Sequence, residues 1–119
     1  MITAESHPKA SIRARGTSLI DYITVEYKEL VDMFGEPTIK TDEYKTDVEW
    51  HVSLREADTS WTAPEDAFVT IYNWKDGKNY RGADGLNVEQ ISEWHVGGKA
   101  KACLWMLEDY IKQHRRTAK

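Results

Sequence analysis

The sequence predicts an α+β fold, an antiparallel sheet of about four strands with two helices in the order β-α-β-β-β-α. Two patterns support it: stretches of alternating apolar and polar residues, and stretches with apolar residues at helical spacing. Alternating strands bury one face, which favours antiparallel pairing with helices on the buried side. The 119 residues suit one domain, placed at 18–119, and the aperiodic residues 1–17 are expected to form a mobile basic arm.

The first predicted strand and helix follow each other directly. Residues 18–24 are rich in β-branched and aromatic side chains and predict a strand. Thr24 is expected to cap a helix over 25–34, whose apolar residues recur at helical spacing. Gly35 then ends the helix in a position that favours glycine.

The second half of the chain contains the remaining strands. Residues 47–55 alternate strictly, whereas 67–75 carry bulky residues on both faces, so this second strand is expected to be central or covered on both sides. These two strands are predicted to pair with each other. A loop with three glycines fills 76–89, a strand follows at 90–96, and a final amphipathic helix covers about 99–114.

Composition indicates a soluble cytoplasmic protein. The N-terminus has no apolar region of a signal peptide, no apolar run could span a bilayer, and the single cysteine, Cys103, fits a reducing compartment. The net charge is −4; residues 1–17 carry +2 and residues 112–119 carry +4, so the middle carries −10. This balance argues against general nucleic-acid binding, which needs a dominant basic face.

The tetrapeptide Glu-Trp-His-Val occurs twice and allows three interpretations. Alternation places Glu49 with His51, and Glu93 with His95, on one face of their strands. If the strands were neighbours, these side chains could bind a divalent metal. The flanking residues of the two copies differ, which argues against a repeat. The favoured interpretation is a shared strand pattern, Trp and Val inward and Glu and His outward, with no metal.

One candidate ligand site is the junction Gly97-Gly98-Lys99. Two glycines between a strand and a helix N-terminus can expose backbone N–H groups to an anion, and Lys99 would add charge. The alternative is a tight turn that simply uses glycine.

The second candidate site is the loop after the central strand. Trp74 or Tyr80 could stack on a base while Lys75 and Arg81 contact phosphates. The same composition also fits a protein–protein contact or a solvated loop. Catalysis finds little support, because Cys103 lies on an apolar helical stripe and no triad context is visible. We therefore expect a non-enzymatic protein without a cofactor.

Four segments (15–38, 44–50, 69–80 and 93–98) resemble, in their order and their sequence, a family of small orphan proteins of tailed bacteriophages. The chain is also similar to the anti-Thoeris phage proteins. That resemblance implies a non-enzymatic, oligomeric sponge that sequesters a cyclic ADP-ribose signal in the host cytoplasm.

The sequence and the resemblance together lead to one main hypothesis and two alternatives. In the main hypothesis Trp74 and Tyr80 stack on the purine and the Gly97-Gly98 amides assist. The phosphates are expected to meet the cations Lys75, Arg81, Lys99, Arg115 and Arg116. The first alternative is a direct protein inhibitor of a host defence complex, such as an anti-CRISPR, using the acidic middle as an electrostatic mimic. The second is a virion assembly factor.

Overall fold

The computed structural model describes six stretches of the chain, namely residues 2–9, 14–40, 47–56, 66–74, 77–99 and 101–117. Within them lie six strands and three α-helices. In chain order these are β1 (Ile2–Ser6), β2 (Ser18–Thr24), α1 (Tyr27–Phe34), β3 (Ile39–Lys40), β4 (Val48–Glu56), β5 (Asp66–Tyr72), α2 (Lys78–Arg81), β6 (Glu93–Gly98) and α3 (Lys101–Thr117).

All strands belong to one antiparallel sheet with the order β1-β4-β5-β6-β2, and β3 pairs with β4. The predicted α+β class, the antiparallel sheet and the β4–β5 pairing are confirmed. The predicted strand number and element order are wrong, because the sheet has six strands. The extra strands escape sequence patterns because β3 has two residues and β1 offers only Ile2 and Ala4 to the core.

The N-terminal segment also differs from the prediction of a mobile arm. Residues 2–6 form β1, which pairs with β4 from Ile2 opposite Glu56 to Ser6 opposite Val52. The chain then stays attached to the sheet, because the His7 N–H donates to the carbonyl of His51 at 2.9 Å.

The helices begin and end at residues set by their caps. Helix α1 begins at Tyr27, and its N-cap is Glu26, which forms a capping box with Glu29 in place of the predicted Thr24 cap. Gly35 ends α1 with a φ of 78°, as glycine permits. Helix α3 begins at Lys101, later than predicted, because Gly98 still belongs to β6. No helix in the described ranges is long and apolar enough to cross a membrane.

The core lies between one face of the sheet and the helices α1 and α3. Strand residues and helix residues form a single buried cluster, so both helices cover the same face. Phe34 of α1 also stacks on Tyr110 of α3, with ring centroids 5.7 Å apart. The large side chains that are almost wholly buried include Trp50, Leu54, Val69, Ile71, Trp94, Val96, Leu30 and Leu107.

The two tryptophans of the repeated tetrapeptide fix helix α1 at both ends. Trp50 and Trp94 are fully buried and pack edge to face, with ring centroids 5.5 Å apart. The Trp50 indole N–H donates to the carbonyl of Gly35 at 3.0 Å, and that of Trp94 donates to the carbonyl of Val25 at 3.1 Å. Those carbonyls flank α1, and Tyr27 packs against both indoles. The predicted inward orientation of both tryptophans is confirmed.

Asn73, directly after β5, holds the start of β4. Its side chain is fully buried and its amide oxygen accepts the N–H groups of Asp47 and Val48, at 2.8 and 3.2 Å. Its amide nitrogen donates to the Asp47 carboxylate at 3.0 Å. A buried amide that satisfies two backbone donors cannot be removed without leaving them unsatisfied.

We expect Asn73→Ala to lower the free energy of unfolding by about 1–3 kcal/mol, because the Asp47 and Val48 N–H groups lose their acceptor. Urea unfolding at neutral pH measures the change. The exposed Ser92→Ala is the control and should change the stability by less than about 0.5 kcal/mol. Equal stability of Asn73→Ala and the wild type would contradict the assignment.

Candidate ligand-binding site

The face of the sheet opposite α1 and α3, the second sheet face, carries polar and aromatic side chains. On β4 these are Glu49 and His51, on β5 Thr70 and Tyr72, and on β6 His95, as alternation requires. The predicted outward orientation of the Glu-Trp-His-Val histidines is therefore confirmed. His51 is nonetheless buried, and it hydrogen-bonds the Glu49 carboxylate two residues before it.

An aromatic row runs across this face from Trp74 to Tyr22. The Tyr72 ring lies 6.3 Å from Trp74 and 5.5 Å from His95, measured between centroids. His95 in turn packs edge to face against Tyr22 at 4.8 Å. Rings on three adjacent strands thus support one another, and Trp74 and Tyr22 at the ends of the row stay exposed.

A cavity of about 240 Å³ opens beside this row. Its lining residues include an indole ring, a carboxylate, a phenol and the hydroxyl-bearing Thr70 beside Gly97. We call it the sheet-face cavity; it is lined by Ala14, Thr17, Ser18, Glu49, Thr70, Tyr72, Trp74 and Gly97. Such a mixture of an aromatic wall with a few polar groups is typical of small-ligand sites.

Gly97 leaves the space that this cavity needs. A Cβ atom at this position would lie 2.4 Å from the Thr70 Oγ1 and 3.5 Å from a ring carbon of Tyr72. The backbone of β6 therefore approaches the β5 side chains more closely than any other residue type allows. The glycine has a steric role inside a strand, which differs from the predicted role in a strand–helix junction.

The protonation of Tyr72 is set by its surroundings. Burial raises the pKa of the Tyr72 phenol above its ordinary value of 10.0, and the nearby Glu49 carboxylate raises it further. The phenol is therefore neutral at physiological pH and remains able to donate a hydrogen bond. Glu49 supplies an acceptor in the same cavity.

The structure brings some of the sequence-predicted site residues together. Trp74 and Gly97 both line the sheet-face cavity. Lys99 lies beside this site, with its Cε 3.7 Å from the position a Cβ would take on Gly16, next to the lining residue Thr17. Gly98 faces the helix layer instead, near Ile20 and Cys103.

The predicted anion site at the Gly97-Gly98 amides needs correction. Both glycines are strand residues: Gly98 pairs with Ser18, and Gly97 pairs with Leu19 and Thr70. Helix α3 begins only at Lys101, so the glycines are not at the helix N-terminus. β-branched neighbours and close strand contact override the local preference of glycine for turns.

Arg115 and Arg116 lie away from the sheet-face cavity, near the end of α3. Arg115 donates to the Glu29 carboxylate at 3.0 Å and to the Thr24 carbonyl at 3.3 Å, so it ties α3 to α1 and β2. It also borders a separate cavity of about 300 Å³ between β2 and α3. Arg116 is exposed.

Tyr80 and Arg81 form part of the short helix α2, on the loop that follows Trp74. Both are exposed and neither lines the sheet-face cavity. Lys75 lies outside the described residues.

The arrangement of strands separates the acidic and histidine pairs considered for a metal. Strand β5 runs between β4 and β6, and Tyr72 stands between Glu49 and His95 in the register. Within the ranges that the structure describes, no group of three or more His, Cys, Asp or Glu side chains could hold a metal ion.

Tyr72 and Thr70 were not predicted as site residues, and Glu49 was considered only as a possible metal ligand. The signal was present, because alternation along β5 places Thr70, Tyr72 and Trp74 on the same face. The position of Glu49 depends on the β4–β5 register, in which it lies opposite Tyr72. That register is a non-local property that no motif records.

Comparison with protein-family models, with curated proteins and with solved structures found no match. The resemblance to phage proteins therefore stays a prediction. Function is therefore inferred from the chemistry of the site.

We expect Gly97→Ala to lower the free energy of unfolding by about 1–3 kcal/mol, because the new methyl group overlaps the Thr70 hydroxyl. In the double variant with Thr70→Ala much of this loss should be recovered. The control is Gly98→Ala, whose Cβ would face Ile20 and Cys103, so Thr70→Ala should give it no recovery. A double-mutant cycle without coupling between positions 97 and 70 would contradict the contact.

The Glu29–Arg115 pair predicts a pH dependence of stability. The hydrogen bond from Arg115 lowers the pKa of Glu29 below its ordinary value of 4.5. The pair therefore stabilises the fold above the unfolded-state pKa, and this contribution is lost as the pH falls through the lowered folded-state pKa. Because both side chains are partly exposed, Glu29→Gln should cost only about 0.5 kcal/mol at neutral pH.

The difference in the free energy of unfolding between Glu29→Gln and the wild type should vanish in acid. Urea unfolding over a pH series measures it. The matched control is Glu36→Gln, which breaks the more exposed pair between Glu36 and Lys40. It should have a smaller effect at every pH. A Glu29→Gln difference that grows towards low pH would contradict the predicted sign.

Proposed function

We propose that the protein is a non-enzymatic binding protein that sequesters a nucleotide-derived signal, with the nucleoside part in the sheet-face cavity. A single observation carries the proposal. One concave site brings together an indole, a phenol, a carboxylate and the Thr70 hydroxyl beside Gly97.

The chemistry of the cavity matches a planar base joined to a sugar. Trp74 and Tyr72 offer ring surfaces, and stacking on aromatic side chains contributes about 1–3 kcal/mol per base. The Glu49 carboxylate can accept hydrogen bonds from ribose hydroxyls or an exocyclic amino group. The Thr70 hydroxyl can donate as well as accept.

Size and charge limit which part of the ligand enters. The volume of about 240 Å³ lies just below the ~300–1,000 Å³ common for small-ligand sites. A nucleoside-sized portion therefore fits better than a whole dinucleotide. The Glu49 carboxylate would repel phosphates inside, so these groups belong at the rim, where Lys99 lies beside Gly16.

The biological role proposed here rests on the phage resemblance. A signal-sequestering protein has to bind its ligand tightly in the host cytoplasm without converting it. Cyclic ADP-ribose is the ligand class that the resemblance implies, and the site chemistry is compatible with its base and ribose.

We expect the protein to bind cyclic ADP-ribose in isothermal titration and to retain it in native mass spectrometry. Trp74→Ala should weaken binding by ~10–100-fold, because stacking on the indole is lost. The control is Trp105→Ala on α3, which removes an exposed indole far from the lining residues and should leave the affinity unchanged. Equal affinities of Trp74→Ala and the wild type would contradict the site.

Heating the complex distinguishes sequestration from catalysis. The ligand released from the denatured protein should be chemically intact by chromatography. A cleaved product would contradict the non-enzymatic role.

A second candidate function, direct inhibition of a host defence protein, is favoured by Trp105. Its side chain is 63% exposed on α3, and exposed tryptophans are enriched in protein interfaces. If this function holds, a stoichiometric protein partner should co-purify from host lysate and be lost with Trp105→Ala, while Trp74→Ala has no effect.

A further inference from the structure

The charge of the sheet-face cavity specifies its ligand further. Among the lining residues that the structure describes, the one formally charged side chain is Glu49. We propose that the group bound in this cavity is a positively charged heteroaromatic base, alkylated on a ring nitrogen, and that Glu49 compensates its charge. The inference rests on the proposed function, because both place a base and its ribose in the same cavity.

The Glu49 carboxylate is held in place without a compensating cation. In the part of the chain that the structure describes, no Lys or Arg pairs with it, and its one bond is with His51, whose Nε2 donates to Oε2. The His51 side chain is 3% exposed and that of Glu49 is 26% exposed. A neutral imidazole donates such a bond without adding a charge. The buried ring therefore fixes the carboxylate and leaves Oε1 available to a ligand.

A ligand that covers Glu49 removes water from this carboxylate. Burying a charge without an opposite charge is costly, and a neutral ligand leaves that cost unbalanced. Ribose hydroxyls can hydrogen-bond the carboxylate but leave its charge in place. The charge acts across the cavity, since Glu49 adds to burial in raising the pKa of the Tyr72 phenol. A cation next to Glu49 balances the charge, whereas a phosphate adds repulsion.

The aromatic residues of the cavity favour the same charge. The rings of Trp74 and Tyr72 have centroids 6.3 Å apart and planes at 80°, so they form two walls of different orientation. The face of such a ring is the negative part of its quadrupole and attracts cations within about 6 Å of the centroid. A flat cationic base gains stacking as well as this attraction, which a compact ammonium ion does not.

Lys99 lies at the rim of the cavity and not among its described lining residues. Its Cε is 3.7 Å from the position that a Cβ would take on Gly16, and its side chain is exposed. In the described ranges no ion pair joins it to Glu49, so it does not neutralise the carboxylate. A ligand with a cationic base and an anionic phosphate therefore matches both ends of the site.

Isothermal titration with 1-methyladenosine and N6-methyladenosine tests the charge directly. The two nucleosides are isomers, but at neutral pH the first is a cation and the second is neutral. We expect 1-methyladenosine to bind at least ~10-fold more tightly, because the rings and the carboxylate both attract the charged base. Glu49→Gln, which keeps an acceptor for His51, should remove most of this preference. The matched control is Glu93→Gln, at the exposed glutamate of the other Glu-Trp-His-Val tetrapeptide, which should leave the preference unchanged.

Salt provides a second test that needs no variant. Added KCl should weaken the binding of 1-methyladenosine more than that of N6-methyladenosine, because salt screens the attraction between partly exposed charges. Circular dichroism verifies that both glutamine variants are folded. An equal salt dependence of the two nucleosides would contradict the charge compensation by Glu49.

The outcomes separate this inference from the proposed function. Three results would each overturn the cationic base: equal affinities of the two nucleosides, a preference that survives Glu49→Gln, or no binding of 1-methyladenosine. Tighter binding of tetramethylammonium than of 1-methyladenosine would overturn it as well, since the cavity would then select a compact ammonium ion. Binding of cyclic ADP-ribose in the same titrations would leave the proposed function standing in all these cases. Conversely, charge-dependent binding of 1-methyladenosine without binding of cyclic ADP-ribose would contradict the proposed function alone.

Discussion

The contact between Trp50 and Trp94 is the interaction on which the rest of the structure depends. Two indoles from strands that are not neighbours pack edge to face across β5, and their N–H groups reach the backbone at the two ends of α1. Burying two tryptophans contributes a large apolar area, but each indole N–H must be satisfied inside the core. The backbone carbonyls beside α1 meet that need, which fixes where the helix lies over the sheet. The core and the position of α1 are thus determined together.

In this arrangement the two faces of the same strands have different roles, one in the core and one in the second sheet face. On β4 and β6, alternate residues are the core tryptophans and valines, while their neighbours Glu49, His51 and His95 face the other side. Stability is therefore concentrated on the helix side, and the second sheet face can hold polar groups, an exposed indole and a cavity. Gly97 contributes to both faces. Its buried backbone completes β6, and the absence of a side chain leaves room beside Thr70.

The sequence predicts the parts of this structure that depend on local periodicity. The strands over 18–24 and 47–55, helix α1 and the direction of both tryptophans follow from spacing, and the structure contains them. What escaped prediction depends on pairing over long distances. Ile2–Ser6 becomes a strand only because β4 offers an edge, and Gly97-Gly98 stays extended because β2 and β5 pair with it. The cavity likewise needs Ser18, Glu49, Thr70 and Gly97, which lie on four different strands.

The alternation along β4 and β6 has a consequence for folding fidelity. Because neighbouring residues point to opposite faces, a slip of one position in either strand would exchange the tryptophans with the residues of the second sheet face. A misaligned sheet would lose its hydrophobic layer and the sheet-face cavity at the same moment. Any small molecule that occupies the cavity would accordingly favour the correctly aligned chain and raise its melting temperature through mass action. Binding of a small molecule would then favour the natively aligned sheet over the misaligned one.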